Sequence, residues 1–216
     1  MPERSNGTAS RAVGLVPSQV RILFPANTKM EDFFTNLRKI KRGPAIMLEK
    51  DIGIILANTD IKKSSIVLDA GSGCGVTTIF LAKFVKKVYS YDIRSDFLEI
   101  AKENARRFNL KNIVFKNKDV SQEIKERNLD LISLDLREPW QVLDQAYLAL
   151  KENGYLTAYL PNITQVQELV LKLNNKFKVV KVLETIERKW IVEEKRVRPE
   201  NMIIGHTGFI IIIKKV

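Results

Sequence analysis

Residues 67–75 read Val-Leu-Asp-Ala-Gly-Ser-Gly-Cys-Gly: an apolar strand, an acid, then glycine at every second position. No other stretch narrows the fold so far. A strand that runs into a glycine-rich turn and opens a helix lets main chain approach a ligand that side chains would exclude. The helix is expected over 77–84. Asp92 ends the next apolar run, Lys87-Val-Tyr-Ser-Tyr-Asp92. An acid there can accept two hydrogen bonds from a ribose diol. The spacing G-x-G-x-G (Gly71, Gly73, Gly75) behind Asp69 differs from the G-x-G-x-x-G of dinucleotide binders, which seat a pyrophosphate on the helix N-terminus. An ordinary tight turn is the plain alternative, and the joint presence of Asp69 and Asp92 argues against it.

Around this loop the apolar pattern alternates between two periods. Strands are expected over 65–69, 87–92, 112–116, 129–134 and 155–160. Helices are expected over 31–40, 50–58, 94–109, 140–150 and 163–174. In the helix over 94–109, Phe97, Leu98, Ala101, Ala105 and Phe108 face inward. This alternation implies an α/β fold with a doubly wound, mostly parallel sheet. The last stretch departs from it. Residues 177–188 and 208–214 are strand-like with no helix between them, which implies a C-terminal antiparallel hairpin. Residues 1–29 carry Ser, Pro, Asn and Gly without period, and order is not expected there. Gln19 to Leu23 can be back-translated into the T-arm of a tRNA gene, so these residues are read as a non-native extension and the natural start is placed at Met30. The remaining domain spans 30–216.

Composition narrows the partners. The net charge is +11 with 36 basic residues. Without residues 1–29, 32 basic residues face 24 acidic ones, leaving +8. Such a balance suits a polyanion, whose counterions are released on binding. A merely basic enzyme is the plain alternative. The single cysteine, Cys74, excludes an internal disulfide and any cysteine-based zinc site, and a reducing, cytoplasmic setting is expected. With one histidine besides, no metal site is expected. No apolar run is long enough to cross a bilayer.

Ligands of open α/β sheets lie at the carboxyl ends of the strands. After the first strand comes the glycine loop, and after the second come Asp92 and Arg94. After the third comes Asp119, placed either to accept a hydrogen bond from an adenine amine or to cap the turn at Ser121. After the fourth comes Asp135, in Asp135-Leu-Arg-Glu-Pro-Trp140. A carboxylate ending a buried strand is costly unless paired. It could accept from an exocyclic amine and offset charge appearing on a ring nitrogen. A salt bridge to Arg137 or Arg198 is the alternative. His206 sits in the turn before the last strand, where a hydrogen-bonded structural role is weighed beside a functional one.

The glycine loop behind Asp69 resembles the S-adenosylmethionine site of Rossmann-like class I methyltransferases, where that acid faces the cationic methionine end. Asp135-Leu-Arg-Glu-Pro-Trp140, Tyr159-Leu-Pro-Asn-Ile-Thr-Gln-Val166, Arg198-Pro-Glu-Asn-Met202 and Gly205-His-Thr-Gly-Phe209 are more specific. In this order they resemble the tRNA (adenine-N1-)-methyltransferases, which act on the T-loop adenosine at tRNA position 58 and, in archaea, also 57. The run Arg42-Gly-Pro-Ala-Ile-Met-Leu-Glu-Lys-Asp-Ile-Gly53 also aligns. The resemblance covers residue 41 to the end. It implies that Asp69, Gly71, Ser72, Gly73, Gly75, Thr78, Asp92, Arg94 and Asp119 bind S-adenosylmethionine. Asp135 is then the catalytic residue and holds the target adenine. Pro161, Gln165, Arg198, His206 and Thr207 become the candidates for substrate contact. A cytoplasmic homo-oligomer, the family's tetramer, is the implied assembly.

Two departures stand out. The family carries Gln and Tyr where this chain has Ala45 and Leu48, so an aromatic that could stack on the target base is absent. Too few residues precede 41 to make the family's β-rich N-terminal domain. Two other readings therefore stand beside the first. One is a small-molecule methyltransferase of the precorrin type. The other is a non-catalytic RNA-binding subunit with a relic fold.

Overall fold

The computed structural model describes residues 28–43 and 46–216. The readings for residues 1–27 and Ala45 lie outside them. The strands are β1 (Ile66–Ala70), β2 (Lys87–Asp92), β3 (Ile113–Asn117), β4 (Leu129–Leu134), β5 (Leu150–Leu160), β6 (Phe177–Leu183), β7 (Trp190–Glu193), β8 (Arg196–Pro199) and β9 (Phe209–Lys215). The helices are α1 (Thr28–Leu37), α2 (Glu49–Ala57), α3 (Val76–Phe84), α4 (Ser95–Arg106), α5 (Leu143–Ala149) and α6 (Ile163–Lys172). Seven strands form one sheet in the order β3-β2-β1-β4-β5-β9-β6. The first five are parallel, and β9 runs antiparallel between β5 and β6. This is the mostly parallel sheet with an antiparallel C-terminal pair that the pattern implied.

The order reverses beside β1, with β2 on one side and β4 on the other. Crossovers leave such a point in opposite directions, which opens a crevice at the strand ends. The sheet is covered on both faces. Val67, Leu131, Ile210 and Ile212 pack with Phe33, Leu37, Ile52, Ile55 and Ile79 of α1, α2 and α3. Leu68, Ile132, Leu156, Ile211 and Ile213 pack with Leu143 and Ala146 of α5 and Val166 and Leu169 of α6. Double coverage explains why β9 is an unbroken run, Phe-Ile-Ile-Ile-Ile, instead of alternating.

Some boundaries differ from expectation, for local reasons. The helix expected over 140–150 opens as a 3-10 turn, Pro139–Val142, before α5. Pro139 lacks the N–H that an interior helical position needs, but it suits the first one. α5 ends where Leu150 turns extended and starts β5, five residues earlier than the apolar pattern suggested. The polar run 151–154 looks like a turn, and the sheet absorbs it as a register shift beside Leu129 and Leu131, with Asn153 left-handed at φ 61°. The strand expected over 177–188 ends at Leu183. The β7–β8 hairpin was not legible. It belongs to a separate compact unit, and its paired residues Trp190, Val192 and Val197 are exposed.

One buried ion pair ties α2 to the strands that close the sheet. Asp51 is wholly buried. Its carboxylate takes Lys50 Nζ at 2.7 Å, Thr207 Oγ1 at 2.9 Å and the Thr185 hydroxyl. Lys50 Nζ also reaches Thr185 O at 2.8 Å and Thr207 Oγ1 at 2.7 Å. The segments that leave β6 and enter β9 are thus fixed on the N-terminus of α2. Removing one partner of a buried pair leaves the other charge uncompensated. Asp51→Ala is expected to cost about 3 kcal/mol or more in a urea unfolding titration.

Candidate functional site

The glycine loop lies across the switch point. Tyr91 O, at the end of β2, accepts Gly71 N–H at 3.0 Å, Ser72 N–H at 3.2 Å and Ser72 Oγ–H at 2.9 Å. These bonds require Gly71 to adopt φ 80°, the left-handed region. A Cβ there would lie 2.1 Å from Asp135 O. The first glycine therefore brings the loop into main-chain contact with the end of β4. Gly75, at φ 88°, opens α3, and a Cβ on it would meet Ala101 Cβ of α4 at 3.0 Å. Asn104 of α4 fastens the loop from behind: Nδ2 donates to Cys74 O at 2.9 Å and Lys41 O at 2.8 Å, and Oδ1 accepts Lys41 N–H at 3.1 Å.

Two cavities open on this loop and share Gly71, Arg94 and Asp135. The smaller, about 210 Å³, is lined by Met47, Ser72, Gly73, Thr77 and Phe97. The larger, about 480 Å³, is lined by Asp92, Asp119, Val120, Leu136 and Gln141. Apolar walls with a few convergent polar groups are what a small organic ligand needs. Asp92 Oδ2 accepts Gly73 N–H at 2.8 Å and Oδ1 accepts Arg94 N–H at 2.9 Å. Main chain thus orients this carboxylate. The Arg94 guanidinium lies farther off, at 3.3 Å from each oxygen, and stacks on Phe97 with its centre 4.1 Å from the ring centroid. Asp119 Oδ1 accepts Ser121 N–H at 2.8 Å and its hydroxyl at 2.7 Å. It caps the turn and also lines the larger cavity. Its Oδ2 has no hydrogen-bond partner among the described residues.

Asp135 stands where the cavities meet. Its N–H continues the β1–β4 ladder to Ala70 O at 2.9 Å. Its carboxylate makes no hydrogen bond or ion pair among the described residues, so neither salt bridge weighed for it forms there. Burial pushes its pKa up to about 6, against the pull of Arg94 and with a further push from Asp92.

Other expected residues lie elsewhere. Asp69 and Thr78 are buried beneath the loop and line neither cavity. Asp69 Oδ2 is 2.5 Å from Thr78 Oγ1, and burial raises the Asp69 pKa to about 7. Pro161, Gln165, His206 and Thr207 gather at the ends of β5 and β9, outside both cavities. Gln165 Nε2 donates to Arg137 O at 2.9 Å, joining α6 to the segment after β4. His206 Nε2 faces Pro161 O at 3.0 Å and Nδ1 faces Glu184 Oε2 at 2.8 Å. Both neighbours are acceptors, an arrangement that favours the protonated imidazole. Its pKa is raised, first by Glu184 and then by the Pro161 carbonyl. Thr207 is taken up by Lys50 and Asp51, and Tyr159 OH donates to its carbonyl at 2.6 Å. Arg198 belongs to the hairpin unit, where it donates to Pro199 O at 3.0 Å and Asn201 Oδ1 at 2.7 Å. Leu48 is half-buried at the start of α2.

The sequence reading missed the wall residues Met47 and Gln141 and the braces Asn104 and Glu184. Only Asn104 left a signal, as a polar residue on the apolar stripe of α4. The loop geometry gives a test. Gly71→Ala must move the loop off β4 and is expected to abolish small-ligand binding, with a stability loss of about 1–3 kcal/mol. Gly53→Ala, where nothing lies within 4 Å of the added Cβ, is the control and should gain about 0.5–1 kcal/mol. Thermal unfolding and ligand titration read both.

Comparison with known proteins gives the same answer from outside. The family model described as "tRNA methyltransferase complex GCD14 subunit" matches residues 38–211. The chain is 35% identical, over 84% of its own length and 75% of the relative's, to the tRNA (adenine(57)-N(1)/adenine(58)-N(1))-methyltransferase TrmI of Methanocaldococcus jannaschii. It is 38% identical to the tRNA (adenine(58)-N(1))-methyltransferase TrmI of Thermus thermophilus, over 83% of this chain and 72% of that one. The crystal structure of tRNA (m1A58) methyltransferase TrmI from Aquifex aeolicus superposes with a TM-score of 0.81 at 26% identity, covering 85% of this chain and 76% of that one. The matched residues run from the end of α1 into β9 and include the glycine loop and Asp135, and the chain belongs to this family of tRNA methyltransferases.

Proposed function

We propose that this chain transfers a methyl group from S-adenosylmethionine to N1 of the T-loop adenosine of tRNA, at position 58 and, as a second site, 57. The observation that carries the reading is the Asp135 carboxylate, without a partner among the described residues, at the junction of two cavities and against the loop that Gly71 allows. The residues present fit S-adenosylmethionine. Main chain at Gly71 and Gly73 can approach a bound molecule closely. Asp92, oriented by two N–H groups, is set to accept from a ribose diol. The free Oδ2 of Asp119, beside Val120 and Leu136, suits an adenine ring with an exocyclic amine. The smaller cavity, with Met47, Thr77 and Phe97, is left for the methionine end. Bound there, the cofactor supplies a methyl group on a sulfonium, which an amine-like nitrogen can take in one displacement.

The target N1 carries its own lone pair, so no strong base is required. The protein contributes alignment and electrostatics. Ionised Asp135 accepts a hydrogen bond from the target's exocyclic amine, which fixes N1 in line. The same charge offsets the cation that develops on the ring. Arg94, paired with Asp92, pulls the Asp135 pKa down against the effect of burial and so favours its ionised form. The basic surface would draw in the phosphate backbone. His206 and Gln165 brace the segments after β5 and β4, and they are proposed with Pro161, Thr207 and Arg198 as the approach for tRNA. A cytoplasmic homo-oligomer, the family's tetramer by resemblance, belongs to the same reading. Among the described residues, no helix is long and apolar enough to cross a membrane.

The test is transfer of labelled methyl from S-adenosylmethionine to unmodified tRNA and to a transcript without the T-loop adenosine. Incorporation should require that adenosine. No transfer to any tRNA despite cofactor binding would favour the small-molecule reading, and no cofactor binding the relic subunit. Asp135→Asn keeps the shape and removes the charge, and kcat should fall by about 10²–10³-fold. Because Asp135 acts ionised and its pKa is raised to about 6, activity should rise as pH increases through 6 and then level off. The Asn variant should lack that rise.

A further inference from the structure

A row of polar side chains crosses the centre of the sheet on the face that packs against α3. Asp69 of β1 is in register with Ser90 of β2 and Ser133 of β4, and Ser133 with Thr157 of β5. All four are buried. Asp69, Ser90 and two further hydroxyls form a chain. Asp69 Oδ2 lies 2.5 Å from Thr78 Oγ1, and Thr78 Oγ1 lies 3.0 Å from Ser90 Oγ. Ser90 Oγ lies 2.7 Å from Ser72 Oγ, and Ser72 Oγ lies 2.9 Å from Tyr91 O. The chain therefore runs from a carboxyl group beneath the glycine loop to the carbonyl that holds the loop.

Counting protons decides its state. The chain has four links and three hydroxyls, and each hydroxyl brings one proton. Its far end, a carbonyl, can only accept. If Asp69 is ionised, its end can only accept too. Thr78 then donates to Asp69, and the two remaining protons serve three links, so one link between Thr78 and Tyr91 O has no proton. If Asp69 is protonated, there are four protons for four links, and every donor points the same way.

We infer that Asp69 is a neutral carboxylic acid in the working protein, a positioning residue that donates to Thr78 and so sets the direction of the chain that anchors the cofactor loop. This rests on the proposed cofactor site. Its surroundings agree. Ser90, Ser133 and Thr78 present no charge from the flanking strands or α3. Burial does most to raise the Asp69 pKa, the hydrogen bonds from the Thr78 hydroxyl and N–H act against it, and the only charges that bear on Asp69, those of Asp135 and Asp92, are both acids that raise it further. Neither cavity reaches it. Its part is thus to hold Ser72 in place, not to meet the cationic end of the cofactor. Ionisation would withdraw one proton from the chain and loosen Ser72, so cofactor affinity should weaken as pH rises through about 7.

The sign for stability follows. A carboxyl group with a raised folded pKa stabilises the fold most below its unfolded value, and the gain is lost as pH climbs through the folded one. Asp69→Asn carries an amide that donates to Thr78 at every pH. Affinity for S-adenosylmethionine, by calorimetry near pH 6, should stay within about threefold of the parent protein, because the amide N–H replaces the acid O–H. The variant's affinity should be flat above pH 7, where the parent's falls. The difference in melting temperature between the two should drift with pH from about 4 to 7 and then hold constant.

A loss of affinity of about tenfold or more at every pH, with a constant difference in melting temperature, would mean that Asp69 works as an anion, and would overturn the inference. A second measurement does not depend on that variant folding. In Asp135→Asn protein labelled at aspartate, one carboxyl carbon should still titrate well above the ordinary range by NMR. Titration of every aspartate in the ordinary range would overturn it equally. Failure of the parent protein to bind S-adenosylmethionine would count against the proposed cofactor site, while the carboxyl titration would still decide the state of Asp69.

Discussion

The carbonyl oxygen of Tyr91 receives three donors, the N–H groups of Gly71 and Ser72 and the Ser72 hydroxyl. A turn between a strand and a helix has no ladder of its own to satisfy these groups, and buried donors left unpaired are costly. This one acceptor holds the loop on the end of β2 in a left-handed conformation. From that follow the contact of Gly71 with the end of β4, the start of α3 at Gly75 and the bond from Gly73 N–H that orients Asp92. The site is built on main chain first, and the side chains take their places around it.

Three carboxylates then lie at the ends of adjacent strands, Asp92 as the last residue of β2, Asp69 in β1 and Asp135 after β4. Each answers the cost of burial differently. Asp92 is held by two N–H groups with Arg94 nearby. Asp69 shares its oxygen with a hydroxyl. Asp135 has no direct partner among the described residues and keeps a raised pKa at the cavity junction. Burial pushes Asp69 and Asp135 up, Asp92 adds to both, and Arg94 pulls back on Asp135. Groups of one type thereby become distinct in state, which is how one site can hold a cofactor and polarise a substrate.

The other end of the sheet matters because its strands return antiparallel. His206, bridged between Glu184 and Pro161, and the buried pair Lys50–Asp51 join the segment before β9 to β5, β6 and α2. The polar residues of the Pro-Asn-Ile-Thr-Gln and His-Thr-Gly-Phe runs thus hold segments against each other beside the site.

Much of this was legible in residue order. Period and length specified the parallel strands and helices, because burial on two faces of a sheet writes itself as apolar runs separated by amphipathic helices. The glycines and the acids after each strand marked the crevice, since topology alone puts those positions there. Residue order could not show that Asp119 caps its own turn or that Thr207 turns to Lys50 and Asp51. Nor could it separate Asp135, in the cavity wall, from Asp69, hidden below it. Those are outcomes of distance and burial between segments far apart in the chain. A side chain's identity states which bonds it can make. Only the packed neighbours determine which it does make, and whether its proton stays.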